Sequence, residues 1–188
     1  MKSATQILRE EHDVILQMLE ALDGTSQRLE ANEPVSLQTL TDFQEFATLF
    51  ADRCHHGKEE DLLFPLLERK GVPRAGGPLG CMLSEHDEGR AFVALMKTNA
   101  SLCASGDTAA RTAWVHAARA YANLLRNHIW KENEILFRMA ERLMSPEEQE
   151  ALANEFAKVE EEMIGRETFA QVRERPAKLA REVPAAAG

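Results

Sequence analysis

The residues best suited to chemistry are four histidines and two glutamates that occur as two copies of one pattern. Glu11-His12-Asp13 matches Glu85-His86-Asp87, and further on His55, Glu59, Leu62, Leu63 and Phe64 match His128, Glu132, Ile135, Leu136 and Phe137 at an offset of about 73 residues. Both copies contain H-x-x-x-E-x-x-[LI]-L-F, and the histidines within a copy are 43 residues apart (His12 to His55) and 42 apart (His86 to His128). The i, i+4 spacing puts an imidazole and a carboxylate on one helix face, about 6 Å apart along the axis. Each histidine also falls where an apolar seam would otherwise carry leucine. Two ionised carboxylates buried together are strongly unfavourable without positive charge, and a metal supplies it. Four neutral imidazoles and two carboxylates suit two divalent ions, each taking two imidazoles and sharing both glutamates as bridges, with positions left for water, oxide or a small ligand. An oxygen and nitrogen donor set with open positions and no thiolate suits iron or manganese better than a closed structural zinc site.

Other residues compete for a role. His56 and Glu60 repeat the i, i+4 spacing one residue along, but only His55 and Glu59 are matched in the second copy. His56 is then rotated ~100° from the seam, which predicts a surface or supporting position, with an additional ligand as the alternative. His116 is expected on a helix surface and Tyr121 in the core, a hydrogen-bond donor lining a cavity being the alternative for Tyr121. Glu11, Glu85 and the aspartates that follow the first histidines are expected in solvent or orienting imidazoles. Cys54, Cys81 and Cys103 are odd in number and lack CxxC spacing, so buried reduced thiols are expected rather than a disulfide or thiolate site.

The elements that must position these residues are helices. Leu8, His12, Ile15, Leu19 and Leu22 recur at steps of four and three, giving a helix from Ser3 to about Ala31. A second runs from Ser36 to about Lys70 with Leu40, Phe43, Ala47, Phe50, Leu62, Leu63 and Leu66 inward, and Pro65 should bend it near its end. The breaker cluster from Gly71 to Pro78 separates two comparable halves. A third helix reaches about Ala104. After Gly106 and Asp107 a fourth runs to about Leu143, with Trp114, Tyr121, His128 and Ile135 in sevens. No β-alternation is visible. Ser145-Pro146-Glu147-Glu148 is a capping box that opens a fifth helix, which Gly165 should close.

The fold class is therefore all-α, an up-down-up-down four-helix bundle over residues 1–144 with an accessory C-terminal helix over 145–170. The stripe Leu152, Phe156, Val159 and Met163 must pack on the bundle or on a second copy, the latter giving a homodimer through that helix. Glu160-Glu161-Glu162 reads as its solvated face. The composition of residues 171–188 predicts a flexible tail. A formal charge of −9 with no basic stripe argues against nucleic acid and anionic membranes. The charged opening segment reads as neither signal peptide nor spanning helix, so a cytoplasmic protein is expected.

With H…HxxxE…H…HxxxE in place, residues 5 to 140 resemble the hemerythrin, or HHE cation-binding, family. The resemblance implies two non-haem iron ions, oxo- or hydroxo- and carboxylate-bridged, held by His12, His55, Glu59, His86, His128 and Glu132. It further implies binding or sensing of dioxygen, nitric oxide or peroxide, in oxidative or nitrosative stress or in iron homeostasis. Oxygen-carrying hemerythrins offer H-x-x-x-H on the third helix and end the last motif in aspartate. Here Arg90 stands four residues after His86, and Asn133 follows Glu132. The match is closer to the iron–sulfur-repair type of hemerythrin-like protein. The alternatives are a di-iron enzyme, ferroxidase or peroxide-consuming, and a metal-stabilised partner-binding bundle. Ferritin-like oxidases use Glu-x-x-His pairs, and none of the six histidines has glutamate three residues before it.

Overall fold

The computed structural model describes residues 2–163 and 165–182, among which there are six helices and no strand. Helix α1 spans Ala4–Glu30, α2 residues 37–69, α3 Pro78–Ala104 and α4 residues 108–143; α5 spans Pro146–Met163 and α6 Arg166–Glu182. Their starts follow from the side chains that satisfy otherwise orphaned N–H groups. Ser3 Oγ accepts from the Gln6 N–H, Ser36 Oγ from Thr39 and Asp107 Oδ1 from Ala110. The capping box is reciprocal, since Ser145 Oγ accepts from the Glu148 N–H while Glu148 Oε2 accepts from the Ser145 N–H at 2.8 Å. Gly106 and Gly165 close α3 and α5 at φ +92° and +77°, a region glycine enters without a Cβ penalty.

The four long helices pack around two apolar clusters. One joins Ile15, Leu19, Leu22, Phe43, Phe50, Trp114 and Leu125 toward one end; the other joins Leu8, Leu63, Phe64, Leu67, Leu79, Met82 and Phe137 toward the opposite end. The histidines and glutamates of the repeat lie in sequence between these groups on every long helix.

Both α2 and α4 are interrupted by π-helical turns. These cover Ala47–His56 and Glu59–Leu63 in α2 and Glu132–Leu136 in α4, so two of the three begin at the glutamate of a motif. A π turn carries extra residues for the same advance, so the buried seam moves along by one position. Leu136 is buried while Ile135, expected on the seam, is 47% exposed, and in the other copy Leu63 is buried while Leu62 is only partly so. Helix α2 continues through Pro65 to Arg69.

The stripe of α5 is covered by the chain itself: Leu152, Ala153 and Phe156 are buried, and α5 packs on α1 and α2. The expected tail begins as a sixth helix. Phe169, Val172 and Leu179 of α6 are buried against α1 and α2, Phe169 stacks on Phe50 with centroids 5.4 Å apart, and Arg175 pairs with Glu45 at 2.6 Å. Pro176 inside the helix hides this element from a reading of the sequence, although Phe169, Val172, Pro176 and Leu179 recur at helical steps and form its buried face. The part of the expected tail over 183–188 lies outside the described residues.

If α6 is part of the core, Leu179→Ala should lower unfolding free energy by about 2–5 kcal/mol. Urea denaturation checks this; no change in midpoint would return residues 171–182 to the status of a loose tail.

Candidate metal centre

All six residues singled out by the repeat meet in one layer. Helix α1 supplies His12, α2 His55 and Glu59, α3 His86, and α4 His128 and Glu132, each 1% exposed or less. Their donor atoms form two overlapping sets: His12, His55, Glu59 and Glu132 within 4.8 Å of one another, and His86, His128, Glu59 and Glu132 within the same distance. Glu59 turns Oε1 toward His55 Nε2 at 3.7 Å and Oε2 toward His86 Nε2 at 3.6 Å. Glu132 Oε2 lies 3.1 Å from His12 Nε2 and 3.2 Å from His128 Nε2. Each carboxylate thus reaches an imidazole of both sets, which is the arrangement a bridging ligand needs.

The imidazoles present Nε2 to the centre because each Nδ1 is bound on its outer side. His12 Nδ1–H donates to Asn133 Oδ1 at 2.9 Å, His55 to Glu11 Oε2 at 3.0 Å, His86 to Glu60 Oε1 at 2.6 Å and His128 to Glu85 Oε2 at 2.9 Å. Such partners fix tautomer and ring orientation. They too follow the repeat, Glu11 pairing with Glu85 and Glu60 with Asn133. A further layer repeats with them: the Lys58 ammonium donates to Glu11, and Lys131 to Glu85. Lys58 is fully buried, lies over the rings of Phe156 and Phe169, and also donates to Glu160 at 2.6 Å. Glu160 is therefore an ion-pair partner of a buried lysine, not part of a merely solvated face.

Of the positions expected for His56, the surface one is ruled out and the supporting one fits. His56 is 4% exposed, its ring lies parallel to that of His86 with centroids 3.7 Å apart, and it forms a third group with His86 and His128. Successive residues turn less about a π-helical axis than about an α-helical one, so His55 and His56, at the end of a π segment, can both face inward. Glu60 does not point into the centre but holds His86 and pairs with Arg90. Glu11 and Glu85 orient imidazoles, whereas Asp13 and Asp87 are exposed. His116 is exposed, as expected, and Tyr121 is buried beside a cavity that His56 also lines. Cys54 and Cys103 are buried free thiols, but Cys81 is exposed, on the outer face of α3.

The electrostatics are those of a site built for positive charge. Burial, followed by repulsion from Glu132, drives the Glu59 carboxyl well above the usual range. Burial acts on Glu132 in the same direction, but the charge of the adjacent His128 ring outweighs it and keeps Glu132 ionised. His128 is correspondingly raised to about 9, its burial overcome by Glu132. Burial lowers His55 to about 4 and also depresses His56 and His86. At neutral pH three imidazoles are thus neutral, the form that ligates metals.

The donor set fits metal on a second count. His12 Nε2, His55 Nε2 and both carboxylate oxygens of Glu59 and of Glu132 are buried without a hydrogen-bond partner. Buried polar atoms are nearly always satisfied, and here six unsatisfied ones sit in one layer. Two ions would complete them, one within each set, with Glu59 and Glu132 common to both.

No helix among the described residues is long and apolar enough to cross a membrane. The chain is 30% identical over 115 residues to the iron-sulfur cluster repair protein YtfE of Escherichia coli O157:H7, a match covering 59% of this chain and 51% of that protein. It is 24% identical over 170 residues to the uncharacterized protein Rv1995 of Mycobacterium tuberculosis, covering 90% of this chain and 66% of the relative. The chain thus spans about half to two thirds of the length of these relatives. No solved structure matches it. The sequence model of the hemerythrin HHE cation binding domain matches residues 3–140, which include both copies of the motif and all four histidines and two glutamates at the centre, and the chain belongs to that family.

Proposed function

We infer that the protein is a non-haem di-iron protein that binds or senses a small ligand, dioxygen, nitric oxide or peroxide, at the centre of its bundle. The observation that carries this reading is the pair of carboxylates that each face imidazoles of both sets. His12 and His55 would hold one ion, His86 and His128 the other, with Glu59 and Glu132 between them. Two imidazoles and two shared carboxylates leave each ion short of six donors, and the ions supply reversible coordination of a small molecule when bound. The surrounding chain does the rest: the Nδ1 partners lock the rings, and the two apolar clusters keep bulk water from the layer. The resemblance to an iron-sulfur cluster repair protein supports iron handling under oxidative or nitrosative stress as the setting.

Protein produced with iron should contain about two iron atoms per chain, the number set by the two donor groups. Glu59→Ala should remove most of it, because both sets lose a donor. Glu60→Ala should keep the stoichiometry and weaken affinity about tenfold, since Glu60 only orients His86. Elemental analysis and chelator competition measure both, and equal loss in the two variants would contradict the assigned roles.

Proton linkage gives a further check. Glu59, held above its ordinary value, and His128, raised to about 9, both carry protons in the metal-free protein at pH 7 and must give them up to ligate. Iron loading in weak buffer should therefore release protons, and affinity should rise with pH between 6 and 8. Affinity independent of pH would show that the two groups are already deprotonated.

Nitric oxide added anaerobically to the ferrous protein should produce new visible absorption that saturates with titration. An unchanged spectrum would contradict ligand binding at the iron pair.

A further inference from the structure

The two halves of the repeat are filled differently. Ile15, three residues after His12, is buried in the core, whereas three residues after His86 the chain has Gly89. Likewise Ile129 follows His128, whereas His56 follows His55. A cavity of ≈ 210 Å³ lies where these differences meet, among α2, α3 and α4. Ala47, His56, Gly89 and Tyr121 form its buried wall, and Ala94 and Lys97 stand at its exposed side. Gly89 has no unusual backbone angle, and a Cβ there would meet Tyr121 Cε2 at 3.6 Å, an ordinary contact. Glycine at this position therefore serves to leave space, not to permit a turn.

That space reaches the ligand layer from one side. The His56 ring separates it from His86, against which it stacks at 3.7 Å. The opposite side is closed: Phe137 stacks on His12 at 5.4 Å, and Phe137, Lys58 and Glu59 are fully buried. The lining also selects by charge. Arg90 is engaged by Asp52 at 2.8 Å, Asp87 at 2.8 Å and Glu60 at 2.6 Å, and Lys97 lies at the exposed mouth, whereas the inner wall next to the His56 ring is made of Ala47, Gly89 and Tyr121. At that inner wall an ion would lose hydration without recompense, whereas an uncharged diatomic molecule would not.

Resting on the small-ligand reading above, we propose that this cavity is the access and holding site for an uncharged diatomic gas, which passes the His56 ring to the His86–His128 side of the centre, the His12–His55 side being closed to it. Crystals of the iron-loaded protein under xenon, a probe of dry apolar cavities, test the site. Stopped-flow mixing of nitric oxide with the ferrous protein tests the route. Xenon should occupy the cavity in the wild type and be lost in Gly89→Ile, which installs the side chain that the first half carries at Ile15. That variant should retain wild-type iron content and take up nitric oxide at least about tenfold more slowly. Ala94→Trp, at the exposed side, provides a second obstruction if Gly89→Ile fails to fold. Uptake at wild-type speed in a variant that has lost xenon, or no xenon in the wild-type cavity, would overturn the route alone. Wild-type protein that takes up no nitric oxide would overturn the small-ligand reading and the route with it.

Discussion

Glu59 and Glu132 are fully buried at the centre of the bundle, each within 3.7 Å of two imidazoles, and the surrounding structure is arranged around the charge they bring there. Two carboxylates in a dry interior repel one another, and neither can recover its lost hydration. In the metal-free chain the conflict is divided unequally: Glu132 stays ionised against a protonated His128, while Glu59 is driven toward its neutral form. Two dications would resolve both halves of the conflict at once. The apolar clusters above and below the layer shut bulk water out from those two directions, which would make bound metal part of the fold as well as of the chemistry.

The outer shells explain how a bundle of ordinary helices holds such a centre. Each of the four central imidazoles has an Nδ1 partner, and two of those partners are themselves held by lysines, Lys58 on Glu11 and Lys131 on Glu85. The lysines are not equivalent. Lys131 is partly exposed, whereas Lys58 is sealed beneath Phe156 of α5 and Phe169 of α6 and paired with Glu160. The two C-terminal helices thereby complete a chain of contacts from Glu160 through Lys58 and Glu11 to His55. They cover a buried charge and an apolar face together.

The site was more legible than its surroundings. The doubled H-x-x-x-E pattern picked out four of the six central residues and the repeated Glu-His-Asp the other two, because a shared buried site restricts both residue type and spacing and the repeat carries that restriction twice. The same offset, applied to Lys58 and Lys131 or to Glu60 and Asn133, would have exposed the supporting layer as well. For His56 the surface position remained open beside the supporting one because a rotation of about 100° per residue assumes α-helical geometry, and the π turns around it change the rotation. Ile135 was assigned to the seam for the same reason. Helix α6 was missed because Pro176 reads as a helix breaker, although its neighbours are good helix formers and Phe169, Val172, Pro176 and Leu179, which recur at steps of three and four, form its buried face.

The claim that buried carboxylate charge is balanced by metal is tested most directly by thermal unfolding at pH 7 of iron-loaded and metal-free protein, each as wild type and as Glu59→Gln. A ligand at 100 times its dissociation constant adds about 2.7 kcal/mol, so the loaded wild type should melt well above the metal-free wild type. In the metal-free state Glu59→Gln should melt close to wild type, because the amide resembles the protonated carboxyl, and it should gain little from added iron. Loaded and metal-free wild type melting at one temperature would contradict the account.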